Sequence, residues 1–151
     1  ETFAYPISEK IENSSEQGAR NTIYSDGMSV TNGLYHNAID IPCKDQTPVY
    51  ASKGGKVITV YPSYYNGEKW NGDRIYGGLI EIDHNDGTMT RYAHLSFTNV
   101  KEKQIVKKGD LIGKSGGVYG RRGSGISTGP HLHFEIILNI EEWLEYWQKN
   151  N

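Results

Sequence analysis

Four of the five histidines, His36, His94, His131 and His133, stand in settings that suggest metal or acid–base chemistry. His131-Leu132-His133 opens a β-type segment, where alternate residues share a face about 6–7 Å apart along the chain. Two imidazoles then face one site together. One can bind a metal while the other stands behind it, although packed or surface pairs show the same pattern. His36 and Asp40, four residues apart, add an imidazole and a carboxylate, both suited to Zn²⁺. Fully extended, their Cα atoms would lie about 13 Å apart, too far for comfortable shared ligation. A helix would close the gap, but Pro42 and the β-branched surroundings oppose one, so a bent loop entering a strand is the expected geometry. His94, at the end of a predicted hairpin arm, is a candidate fourth ligand, a proton donor and transition-state stabiliser, or a structural residue. His84 falls at the hairpin turn, where an exposed or loop-bracing role is expected.

Cys43 is the only cysteine, so no thiolate set is available and no internal disulfide can form. A His/Asp/His set is then the one zinc constellation the chain offers. Three ligands leave a position open, which is the arrangement of a catalytic zinc. The helical H-E-x-x-H motif is missing, so its glutamate must be replaced in proton handling, and a spare histidine is the natural candidate.

The elements that position these residues are mostly short strands. The chain has 151 residues, enough for one ordinary domain with a real core. Its 18 glycines and 11 tyrosines favour strands and turns over a helical bundle. Strands are predicted at Phe3–Ile7, Pro48–Ser52, Lys56–Tyr61, Leu79–His84, Thr88–Ala93, Gln104–Val106, Leu111–Lys114 and His131–Leu138. The Asn85-Asp86-Gly87 turn marks a hairpin. One helix is expected at 139–149. Ile140, Trp143, Leu144 and Trp147 form a stripe read as a face docked on the sheet, and Asn139 with Glu142 resembles a capping box. A net charge of -2 argues against nucleic acid as the main partner, and no apolar run approaches a membrane span. The opening at Glu1 has no leader-like run and reads as a mature or trimmed chain, with export left open.

In this order, His36-x-x-x-Asp40, Tyr92-Ala93-His94-Leu95 and His131-x-His133 resemble the motifs of the lysostaphin/LytM-type zinc endopeptidases of bacterial cell walls. The flanks agree: Ile39-Asp40-Ile41, Thr47-Pro48-Val49-Tyr50-Ala51, Gly55-Lys56-Val57, Lys108 to Gly113, and Ser127 to Glu135. Similarity runs over roughly residues 22–137, within a single domain spanning 1–151. The resemblance implies one Zn²⁺ per chain held by His36, Asp40 and His133. His131 and His94 would be catalytic, one activating water and the other steadying the oxyanion, in an order left open. It further implies a small antiparallel sheet with the site in a groove walled by loops, peptidoglycan as substrate, an extracytoplasmic location and a monomer. Ala38 stands where the family often has glycine, and the loops at 61–78 and 115–130 are longer than usual for it.

Those loops carry the candidate substrate contacts. Tyr65 and Trp70 suit stacking on sugars or flanking an extended peptide. Arg121 and Arg122 suit stem-peptide carboxylates, which the planar guanidinium can bind in bidentate fashion. Two other function classes compete. One is a catalytically silent module that binds peptidoglycan or activates another hydrolase, with the 61–78 loop covering the groove. The other is a cupin-like metal barrel, which lacks its expected Glu because Ile137 and Leu138 stand there and which leaves His36 and Asp40 unexplained.

Overall fold

The computed structural model describes residues 3–7, 36–61, 77–116 and 129–150. Among the described residues, eight strands form one antiparallel sheet: β1 (His36–Pro42), β2 (Pro48–Tyr50), β3 (Gly55–Tyr61), β4 (Gly78–Asp83), β5 (Met89–Thr98), β6 (Ile105–Val106), β7 (Leu111–Ser115) and β8 (His131–Ile137). Helix α1 follows at Ile140–Asn150. The main path runs β1-β8-β5-β4-β3-β6, with β7 pairing both β5 and β2. The mostly β class with a short C-terminal helix is as the sequence predicts. The 61–78 and 115–130 loops expected to wall the groove lie, apart from their ends, outside the described residues.

Period-two alternation explains why these segments pair as they do. Leu132, Phe134 and Ile136 turn one face of β8 into the core, where Tyr92, Ile80, Ile82, Val57 and Ile41 join them. The other face of β8 carries His131, His133 and Glu135. β8 is flanked by β1 and β5, and the register sets both Asp40 and Ala93 directly across from His133. The histidine strand therefore lies between its two candidate partners.

β5 is the spine. Its first half, Met89–Ala93, pairs with β8, and its second half pairs with β7 from Leu95 onward. A bulge falls at the changeover. On β4, Leu79 faces Ala93 while the adjacent Gly78 faces Leu95, so His94 is the extra residue. Its φ is 60°, in the left-handed region.

Several expectations need correction. His36–Pro42 is a regular strand rather than a bent loop, because pairing with β8 along its whole length satisfies the backbone groups on that edge. Phe3–Ile7 is not a strand. It lies beside β2 through Tyr50 N–H to the Pro6 carbonyl (2.7 Å) and Ala4 N–H to the Ser52 carbonyl (2.7 Å). Pro6 has no N–H with which to extend a ladder. His84 is buried rather than exposed, but it does brace the turn. Its Nδ1–H donates to the Gly54 carbonyl (2.8 Å), so Nε2 accepts from Thr90 Oγ1 (3.0 Å). Thr90 Oγ1 then accepts from the Tyr92 hydroxyl (2.7 Å), which accepts the Ser52 N–H (2.9 Å). Only this order gives each contact one proton.

The helix cap forms as read, with Glu142 N–H donating to Asn139 Oδ1 (3.1 Å). Among the described side chains, docking falls at the first turn, where Ile140 N–H reaches the Gly87 carbonyl (2.9 Å) and the Arg91 guanidinium lies over the Trp143 ring; the side chain of Trp147 lies outside what is described. Leu144, expected on the docked stripe, is 47% exposed.

Candidate active site

Asp40, His94, His131 and His133 converge, brought together by β1, β5 and β8. Asp40 Oδ1 lies 2.7 Å from His133 Nδ1 and 3.3 Å from His131 Nε2. The His94 ring centroid is 4.9 Å from that of His131 and 5.9 Å from that of His133, both edge-on. The bulge makes this reach possible. A residue inserted at the point where β5 changes partners escapes strict alternation, so its ring can join those projecting from β8. Gly116 completes the corner: its carbonyl accepts the His131 N–H (3.0 Å), and a Cβ there would stand 2.9 Å from the His94 carbonyl oxygen.

The protons decide what the site can hold. His133 has a carboxylate oxygen at each ring nitrogen, Asp40 Oδ1 at Nδ1 and Glu135 Oε2 at Nε2, both at 2.7 Å. A neutral imidazole has one N–H, so one of these contacts would set two acceptors against each other. Positive charge must therefore enter, as a second proton or as a metal ion. Burial alone would discourage a charged ring, but the hydrogen bonds that Asp40 and Glu135 accept from it outweigh this and push His133 up to about 9. The hydrogen bond to Asp40 also raises His131 against the opposing effect of burial. Reciprocally, hydrogen bonds from His131 and His133 hold Asp40 far below the usual carboxylate range. Glu135 is buried beneath the ring while Asp40 is exposed. A cation arriving from outside would thus meet Asp40 and Nδ1, with Glu135 on the far side of the ring.

This donor pair fits zinc: one carboxylate oxygen and one imidazole nitrogen, with a second carboxylate on the far ring nitrogen as metal-bound histidines require. Among the described residues no group of three or more His, Cys, Asp or Glu side chains is arranged to hold a metal ion. The side chain of His36 lies outside what is described. Its backbone stands in β1 opposite Ile137. Any part for His36 in a ligand set rests on its motif, not on geometry. Tyr65, Trp70, Arg121 and Arg122 also fall outside the described residues.

His131 is held in one orientation. Its Nδ1–H donates to the Gly129 carbonyl (2.9 Å), so Nε2, 3.3 Å from Asp40 Oδ1, is the nitrogen that faces the site. Two residues of this neighbourhood escaped the sequence reading as site residues, Glu135 and Arg91. Arg91 donates from Nη1 to Glu135 Oε1 (3.1 Å) and from Nε to Glu81 Oε2 (2.5 Å). The alternation His131-x-His133-x-Glu135 was a visible signal for Glu135. Arg91 becomes its partner only through the β5–β8 register.

Residues 34–143 match Peptidase family M23. The chain is 37% identical over 103 residues to the peptidoglycan DD-endopeptidase ShyB of Vibrio cholerae, covering 68% of this chain and 20% of that protein. It is 41% identical over 109 residues to lysostaphin of Staphylococcus simulans, covering 72% and 19%. The chain thus spans about a fifth of the length of these curated relatives. Among solved structures, a zinc-containing peptidase from Vibrio cholerae superimposes with a TM-score of 0.59 at 31% identity, covering 91% of this chain and 37% of that one. The catalytic domain of lysostaphin from Staphylococcus simulans gives 0.53 at 31%, covering 92% and 78%. With the paired carboxylate and imidazoles in place and the match running through β1 to α1, the chain belongs to Peptidase family M23.

Proposed function

We propose that this chain is a zinc-dependent endopeptidase that hydrolyses peptide bonds in the stem peptides or cross-links of bacterial peptidoglycan, and that it works outside the cytoplasm. The observation that carries this reading is His133 with a carboxylate at each ring nitrogen, beside two further imidazoles. Asp40 and His133, with His36 from the family motif, would hold one Zn²⁺. Bound there, the ion would polarise a peptide carbonyl and lower the pKa of a water in the site.

The chain's own residues supply the rest. His131, its Nδ1 proton fixed on Gly129, offers Nε2 as the group that takes a proton from the attacking water. His94, fixed on the bulge, is placed to steady charge developing on the carbonyl oxygen. On this reading His131 is the base and His94 the group beside the oxyanion. Tyr65, Trp70, Arg121 and Arg122 stand as substrate contacts on sequence grounds.

The test is a muropeptide profile of purified sacculi incubated with zinc-loaded protein, beside His131→Ala. Cross-linked dimers should fall and monomers rise with the unmutated protein alone, and the product masses name the bond. An unchanged profile, with one zinc bound per chain, would reject the enzyme and favour the silent, hydrolase-activating module.

A further inference from the structure

We propose that Glu135 is a positioning residue for the metal site: held by Arg91, it keeps the His133 proton on Nε2 and so presents Nδ1 to the ion. This rests on the reading of Asp40 and His133 as zinc ligands. Glu135 and Arg91 are 4% and 5% exposed, and a buried ion pair is a poor device for stability, since apolar residues of similar volume serve as well or better. The pair therefore needs another account, and its geometry supplies one.

Arg91 is clamped. Its Nε is engaged by Glu81, its Nη1 by Glu135 Oε1, and the Trp143 ring lies 5.2 Å from its guanidinium carbon. A fixed guanidinium engages one oxygen of Glu135 and leaves the other, Oε2, for His133 Nε2 at 2.7 Å. A carboxylate can only accept, so the ring must turn an N–H toward it, and the lone pair then falls on Nδ1, beside Asp40. Chemistry at Nδ1 is thus set from β5, a strand that contributes no ligand.

Glu135→Gln separates this role from simple packing. The shape is kept, but an amide has one acceptor oxygen. Arg91 offers only donors, so that oxygen turns to Arg91 and the amide NH₂ faces His133. The NH₂ donates to Nε2 and moves the ring proton to Nδ1, the atom that zinc needs. Zinc affinity, measured by competition with a chromophoric chelator, should fall about 10–100-fold, the usual effect of losing such a partner. Adding Arg91→Met frees the amide oxygen to turn back to His133, so the double variant should recover most of the loss. A merely structural pair would leave the double variant weaker than the single one.

A second measurement needs no variant. In zinc-loaded, ¹⁵N-histidine-labelled protein, long-range ¹H–¹⁵N correlations should place the His133 proton on Nε2. A proton on Nδ1 overturns the proposal even if Glu135→Gln does not fold. Unchanged affinity in Glu135→Gln overturns the positioning role alone and leaves the ligand reading standing. If the unmutated protein binds no zinc, the ligand reading fails and takes this inference with it.

Discussion

Replacing His94 by glycine and, separately, by alanine isolates the backbone cost of the bulge from the loss of the ring. His94 is 7% exposed with φ at 60°, so its Cβ sits where L-residues are disfavoured by about 1–2 kcal/mol. Both variants delete the imidazole and leave nearly the same space behind it, so that loss cancels between them. In an ordinary strand position, glycine is the worse of the two by roughly 0.5–1 kcal/mol because it loses more backbone freedom on folding. At φ 60° the order should invert. Removing the Cβ returns about 1–2 kcal/mol and the entropy takes back part of it, leaving glycine ahead by roughly 0.5–1 kcal/mol.

Urea unfolding at matched metal content measures this directly. For a chain of this size the difference corresponds to a melting temperature roughly 1–4 °C higher for His94→Gly than for His94→Ala. Asparagine, which tolerates the left-handed region, should fall between them. All three should lose peptidoglycan cleavage, because none carries the ring. If alanine equals or exceeds glycine in stability, the bulge does not strain residue 94, and the account of how it aims the ring is wrong.

Two further outcomes follow from the buried relay beneath the sheet. Tyr92→Phe leaves the Ser52 N–H and the Thr90 hydroxyl without the phenol that joins them, and should cost about 1–3 kcal/mol in urea unfolding; a loss below about 0.5 kcal/mol would refute the relay. Burial holds His84 below its ordinary 6.5, so the unfolded chain takes up a proton near that pH that the folded chain resists. The stability it contributes is complete above pH 6.5 and is lost as pH falls through that value toward the lower folded one. His84→Gln should therefore flatten the decline in unfolding free energy between pH 7.5 and 5.5, and an unchanged slope would count against it.

The strands were legible because Leu132, Phe134 and Ile136 alternate cleanly with His131, His133 and Glu135, a pattern that only a half-buried strand demands. The same logic fails at the site. Tyr92 and Leu95 both enter the core, three residues apart, because the inserted His94 shifts the parity of β5. A period-two reading consequently stops at Ala93, although the strand runs to Thr98. The spacing of His36 and Asp40 suggests a bend for a related reason. Taken alone, the motif must close on itself to share an ion, whereas the structure brings Asp40 to His133 across a strand pair. Leu144 was placed on a docked face by helical periodicity, but periodicity identifies a stripe without saying how far along it the sheet extends. The Arg91–Glu135 pair separates its members by 44 positions, and nothing local to either residue announces it.

Arg91 and His94 break local rules three residues apart on the same strand. One places a guanidinium out of water, and the other places a Cβ-bearing residue at positive φ. Neither serves the core, which Tyr92 and Leu95 fill from the opposite face. Both features persist because β5 is paired on both sides, by β4 along one edge and by β8 and then β7 along the other. Such pairing over-determines the backbone and can hold a strained residue in place. Each break acts on the same target from a different side, Arg91 through Glu135 on the far nitrogen of His133 and His94 directly beside its ring. Independent departures from local preference that converge on one side chain are hard to attribute to packing. They mark His133 as the group around which β5 is organised, and on the proposed reading of His133 as a zinc ligand, a ring that must not turn is the physical reason for two unfavourable positions beside it.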